Sequence, residues 1–245
     1  GNRWTRAGNH VGNGAFRLAE WIPNDIIRVV KNEHYWDADT VRLDGIDFFP
    51  IDNDQTEERS FRSGDLQITE TIPLHKIAEY RATRPKVLNL HPYLGIYFYR
   101  VNTTRPPFTD VRVRQAFSLG LDRETIAENV LKAGELPAHF FTPPDTAGYT
   151  SNSQVGYDVE KARRLLAEAG YPNGEGLGPV EILYNTSDAH KLIAEAIQGI
   201  WKANLNVDVR LLNQDWKVFL DSQHTLDYTL SRSSWIGDVV DPINF

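Results

Sequence analysis

Short runs rich in β-branched and aromatic residues alternate with helix-length stretches that open on Asp or Ser, and this alternation constrains the fold more than any other property of the chain. The pattern is clearest in the second half. Asp158 stands before a stretch whose apolar residues Val159, Ala162, Leu165, Leu166 and Ala169 share one helical face, and Gly170 ends it. Residues 180–184 then read as a strand. Ser187 or Asp188 opens the next helix, with Ile193, Ile197, Ile200 and Trp201 on its buried stripe. Val207, Val209 and Leu211 alternate as a strand, Asp215 caps a short helix to residue 220, and residues 228–231 form a last strand. Strands interleaved with helices predict an α/β fold.

The first half uses a related grammar. Turns at Gly12-Asn13-Gly14 and Pro23-Asn24-Asp25 bracket a hairpin of residues 15–21 and 26–30. A β-α-β unit is expected next: a strand at 46–50, a helix capped by Asp54 and stopped by Gly64, and a strand at 66–69. A short helix at 73–80 and an aromatic strand at 95–102 follow. Asp110 caps a helix to residue 119; Asp122 caps another through 132, closed by Gly134. The proline-rich stretch 136–144 has no period of its own. A domain crossover is therefore placed near 137–144, dividing the chain into 1–137 and 138–245 with a cleft suited to a ligand.

Composition narrows the function classes. A net charge of −7 argues against a nucleic-acid partner. The absence of Cys excludes disulfides, thiol catalysis and Cys–zinc sites. The histidines are scattered, and no His-Glu-x-x-His, Gly-x-Ser-x-Gly or phosphate-loop pattern occurs. Asp188-Ala189-His190 reads as a helix start with a nearby polar His. These features point to binding rather than catalysis, with no metal and no cofactor expected.

The stretch from Ser231 to Pro242 carries the most chemistry. Arg232, Trp235 and Asp238 lie within seven residues of one another. Gly237 permits close backbone approach, and Asp241-Pro242 forces an extended or turning exit. A strand edge ending in Trp-x-x-Asp offers an extended ligand backbone hydrogen bonds, an aromatic wall and a fixed negative charge.

The chain also resembles the extracytoplasmic solute-binding proteins of ATP-driven peptide importers, in the oligopeptide branch. The resemblance is carried by Gly12-Asn13-Gly14-Ala15-Phe16 with Glu20-Trp21, by Tyr35-Trp36, and by Arg62-Ser63-Gly64-Asp65-Leu66. It continues through Asn102 with the run Pro106-Pro107-Phe108-Thr109-Asp110-Val111-Arg112-Val113-Arg114-Gln115-Ala116. Further on it is carried by Ala167-Glu168-Ala169-Gly170-Tyr171, Tyr184-Asn185-Thr186-Ser187, Asn213-Gln214-Asp215-Trp216-Lys217 and the stretch from Trp235 to Pro242. It implies a periplasmic-binding-protein-like two-lobed α/β fold of the large peptide-binding type. The family's members are longer, so the chain is expected to be a fragment holding part of each lobe: 1–137 from the middle of lobe one and 138–245 from the start of lobe two.

The resemblance further implies a periplasmic or lipid-anchored monomer that captures a short peptide and passes it to the membrane permease of an ABC importer. Asp238 would receive the ligand's α-ammonium, with Trp235 and Gly237 beside it. Arg232 and His190 would face a carboxylate, and Gln223 stands where relatives can carry a basic residue. Tyr97, Tyr99, His139 and Phe141 are further lining candidates. Other ligands compatible with the fold are a murein peptide, an oligosaccharide or a nickel chelate, and the fold can also serve as the sensor domain of a regulator.

Overall fold

The computed structural model describes residues 2–91 and 94–245. They form two compact units, residues 1–52 and 53–245.

The first unit is built on an antiparallel sheet of β1 (Phe16–Ile22), β2 (Ile26–Lys31) and β3 (Gly45–Phe48), in that order. The hairpin is the one read from the sequence, with Asn24 in the left-handed region at the turn. One face of the sheet places Arg28 between Glu20 at 2.9 Å and Asp47 at 2.8 Å. These groups are solvent-exposed, so the triad adds little stability.

The expected β-α-β unit does not form. β3 pairs antiparallel with β2, and residues 66–69 make no strand; Ile68 is 83% exposed. Helix α1 (Asp54–Ser63) is present but is capped by Asn53, whose side chain accepts from the Thr56 amide, rather than by Asp54. Gly64 closes it with φ +92°, a conformation Gly adopts without a Cβ penalty. Helix α2 (Ile77–Thr83) follows a 3-10 turn. Its Tyr80 and the buried Glu58 of α1 meet in a 2.8 Å hydrogen bond, with Arg62 2.9 Å from the same carboxylate. Arg81 of α2 donates to the carbonyls of Lys132 and Ala133 at 3.4 and 3.1 Å.

The rest of the second unit is organised by a mixed sheet. Strand β4 (Gly95–Val101) is followed by α3 (Val111–Leu119) and by α4 (Arg123–Thr125), which continues as a π-helical turn to Leu131. Lys132 ends that turn in the left-handed region, two residues before the expected Gly134. Then come α5 (Val159–Glu168), β5 (Val180–Asn185), α6 (Asp188–Leu205), β6 (Val209–Gln214), α7 (Trp216–His224) and β7 (Leu230–Ile236). Asp110, Asp122, Asp158, Ser187 and Asp215 each cap the helix that the sequence assigned to them.

The sheet order is β4-β7-β5-β6. β5 runs parallel to β6 and β7, and β4 runs antiparallel to β7. One face carries the main core, where Val180, Ile182, Tyr184 and Leu230 pack under α3, α5 and α6. The edge-on stack Phe108–Phe117–Trp201 and the Trp201 Nε1 bond to Phe117 O, 2.9 Å, tie α6 to α3. The other face is smaller: Leu183 packs with Phe219 of α7 and Tyr228. The packing does not divide at 137–144, because β4 and α3, which precede that stretch, share sheet and core with elements that follow it.

Candidate functional site

The carboxyl ends of β5, β6 and β7 and the start of β4 meet at one edge of the sheet, where α6 also begins. Edges of this kind, outside the carboxyl ends of parallel strands, are where open α/β sheets take ligands.

Strand register decides which side chains gather there. Tyr99 lies opposite Arg232 and Tyr97 opposite Ser234, on the face that Leu230 shares with α6. The Arg232 guanidinium donates to Asn185 Oδ1 and Ser234 Oγ, both at 3.1 Å, and stands 5.0 Å from the centroid of the Tyr97 ring. Its Nε is buried without a partner. Among the described residues no carboxylate pairs with it. Tyr97 Oη lies 3.4 Å from His190 Nδ1, at the limit for a hydrogen bond, and the two rings are tilted at 5.6 Å.

The surroundings set the protonation states. Burial, followed by the nearby Arg232 charge, pushes His190 from 6.5 down to about 4, so the imidazole is neutral near pH 7. Burial raises Tyr97, and it raises Tyr99 further, with Tyr97 adding to the effect. Tyr99 Oη is itself buried and unpartnered. The cluster is thus one cation, two neutral phenols and a neutral imidazole at the N-terminus of an 18-residue helix. A guanidinium without a counter-ion, next to neutral donors and the positive end of a helix dipole, favours an anion such as a carboxylate.

Beyond Arg232 the strand leads into a folded-back loop. The Gly237 amide donates to Leu94 O at 2.8 Å, prolonging the β4–β7 ladder. A Cβ at Gly237 would lie 2.8 Å from Leu94 Cδ2 and 3.2 Å from the Phe245 ring, so any larger residue here makes those side chains shift. Trp235 is 42% exposed. Its Nε1 donates to Asn244 Oδ1 at 3.1 Å, and the Asp238 amide donates to the same oxygen at 2.9 Å. The Asp238 carboxylate is exposed and makes no ion pair among the described residues.

The residues singled out by sequence therefore fall into groups. Tyr97, Tyr99, His190 and Arg232 form one cluster; Trp235, near the end of β7, lies next to the loop that carries Gly237 and Asp238. Gln223 belongs to neither. It sits on α7, across the sheet from the cluster, and its amide is held by Ser231 Oγ at 2.8 Å and Arg232 O at 3.0 Å. His139 bonds Val155 O at 3.0 Å and Glu124 at 3.1 Å, and Phe141 packs edge-on against Phe98. Phe98 alternates with Tyr97 and Tyr99, which places that pair on the opposite face of the strand. Sequence reading gave no roles to Ser234, Asn185 and Asn244. Ser234 and Asn185 could have been found as neighbours of Arg232 at the strand ends. Asn244 carries no local signal, because its partners lie six and nine residues away. Two surface hollows around Gly174 and Asn206 lie at the far end of α6, away from this cluster. No group of His, Asp or Glu among the described residues has the arrangement to hold a metal.

Comparison with known proteins finds relatives that match the whole length of the chain. The chain is 38% identical over 252 residues to the periplasmic oligopeptide-binding protein OppA of Escherichia coli, covering all of this chain and 46% of that protein. It superposes on the Escherichia coli murein tripeptide-binding protein MppA with a TM-score of 0.94 at 39% identity, covering all of this chain and 49% of the other. On Haemophilus influenzae OppA in complex with the peptide RPPGFSPFR the TM-score is 0.88 at 33% identity, with coverage of 100% and 50%. The chain thus spans about half the length of the curated relatives it matches. The model of the bacterial extracellular solute-binding proteins, family 5 Middle, matches residues 1–245, and the chain belongs to that family.

Proposed function

We propose that the protein containing this chain is an extracytoplasmic receptor that captures short peptides and delivers them to an ATP-driven membrane importer. The observation that carries this reading is a pair of unneutralised opposite charges at one strand end. Among the described residues, the partly buried Arg232 pairs with no carboxylate, and six residues on, just past the end of β7, the exposed Asp238 makes no ion pair. A zwitterionic, extended ligand matches both charges, and its backbone can pair with strand edges whatever its side chains. Membership of the family and the names of the relatives support the same reading.

In this reading Asp238 receives the α-ammonium, Trp235 walls the site, and Arg232 with His190 receives carboxylate or carbonyl oxygens. Tyr97 and Tyr99 support the guanidinium. Gln223, His139 and Phe141 contribute to the frame. The protein acts in the periplasm or at the outer face of the membrane, with or without a lipid anchor. Its partner is a permease, and it works as a monomer without catalysis. The chain supplies part of each of two lobes. The pairing of β4 with β7 argues for assigning residues from 95 onward to the second lobe, earlier than the 137–144 crossover.

Calorimetric titration of the chain, alone and within its full-length polypeptide, with tri-alanine and N-acetyl-tri-alanine tests the function. Binding of the free amine and rejection of the acetylated peptide is the expected result. Indifference of the full-length protein to both overturns the peptide reading, and murein tripeptide is the next ligand to titrate, given the close superposition on its binding protein.

A further inference from the structure

We propose that Asn244 is a positioning residue for the ligand's amine, aiming the Asp238 carboxylate relative to the Trp235 ring. This rests on the reading of Asp238 given above. Among the described residues the Asp238 carboxylate has no partner of its own, so its direction follows from the backbone that carries it. Three attachments fix that backbone. The β4–β7 register holds Trp235 opposite Ile96. The Gly237 amide is bound to Leu94 O at 2.8 Å. Beyond Gly237 the remaining attachment is Asn244 Oδ1, which accepts from Trp235 Nε1 at 3.1 Å and from the Asp238 amide at 2.9 Å.

One oxygen thus links the indole to the residue that carries the charge. Both its partners are donors, so the position calls for a side-chain acceptor of this length. Asn244 is itself presented by a 3-10 turn, Pro242–Asn244, that starts on a proline. Asp241 caps the turn by accepting from the Ile243 amide at 2.9 Å, and the Asn244 amide returns to Asp241 O at 3.1 Å. The chain after Asp238 therefore turns back to deliver a single acceptor to the site. A carboxylate left to swing by an ångström or so loses much of its selectivity for one ligand atom.

The test is the ratio of affinities for tri-alanine and N-acetyl-tri-alanine, measured by calorimetry on the full-length protein. Asn244→Leu, which removes the acceptor, is expected to shrink this ratio about tenfold, while the affinity for the acetylated peptide stays as it was. Asn244→Asp, which keeps an acceptor in place, is expected to hold or raise the ratio. Asn244→Ser, too short to reach both donors, should behave like Asn244→Leu and serves if the latter does not fold. An unchanged ratio in both Asn244→Leu and Asn244→Ser overturns the proposal. Equal weakening of both peptides also overturns it, since that marks a merely structural role. Asp238→Asn separates the two levels: if it leaves the ratio intact, the amine reading of Asp238 fails. If it collapses the ratio while the Asn244 variants do not, only the positioning role fails.

Discussion

Arg232 and Asp238 lie six residues apart at the end of one strand, and they are held in opposite ways. Arg232 is fixed by side-chain contacts: it bonds Asn185 and Ser234, lies over the Tyr97 ring, is partly buried and, among the described residues, pairs with no carboxylate. Asp238 is fixed by hydrogen bonds to its backbone, and its carboxylate remains in water. A packed charge is ready before the ligand arrives and has already incurred its desolvation cost in folding. A solvated charge incurs that cost when the ligand encloses it, and so discriminates strongly at that moment.

This contrast orders the expected effects of substitution. The largest is at the solvated charge. Asp238→Asn should weaken a free-amine peptide on the order of a hundredfold, because a ligand ammonium would be enclosed without its partner. Thermal stability should be unchanged, and calorimetry alongside thermal melts reads both. Arg232→Met should cost about tenfold or more in affinity for a peptide with a free carboxylate. Removing a partly buried cation should change the melting temperature little, since relief of its desolvation offsets the loss of its bonds to Asn185 and Ser234. A large fall in melting temperature would show that Arg232 holds the fold more than it serves the ligand.

A smaller effect is expected where the two regions join. Gly237→Ala forces Leu94 and Phe245 to give way, and should cost about 1–3 kcal/mol in stability from overpacking, with a few-fold loss in affinity. Gln223→Ala should cost about 1 kcal/mol in stability through its lost hydrogen bonds and leave peptide affinity unchanged, since the side chain faces away from the cluster. The packed region also has a pH signature. His190 is neutral in the folded chain down to about pH 4, whereas in the unfolded chain it takes up a proton near 6.5. In that window the unfolded state binds more protons, so the His190 contribution is complete above 6.5 and is lost as pH falls toward 4. Melts of the native protein and of His190→Gln across this range should converge at acidic pH.

How much of this was legible in the sequence depended on the reach of each interaction. The caps at Asp110, Asp122, Asp158, Ser187 and Asp215 could be read because a cap bonds an amide two or three residues away. The strand expected at 66–69 could not be settled locally: a short apolar run becomes a strand only if a partner lies alongside, and here Ile68 faces solvent. The buried stripe of α6 holds the expected Ile193, Ile197 and Trp201 together with Ala194 and Leu205, while Ile200 is only partly buried. In the site, the residues between Ser231 and Pro242 pointed to Arg232 and Asp238 by themselves, and family resemblance added His190. Gln223 came with it, and the alternation of β7 could not reveal that α7 lies on the other side of the sheet. Asn244 was missed because its bonds depend on how the loop folds back.

Arg81 has a consequence of another kind. Among the described residues, its two hydrogen bonds to the carbonyls of Lys132 and Ala133 are the only hydrogen bonds or ion pairs between residues 53–91 and 94–245. A seam closed by one stitch carries its polar load at one point. Anything that competes for that guanidinium, whether a concentrated salt, a multivalent anion or replacement by alanine, acts on this polar link at one place, and because both bonds are exposed the cost in stability is small.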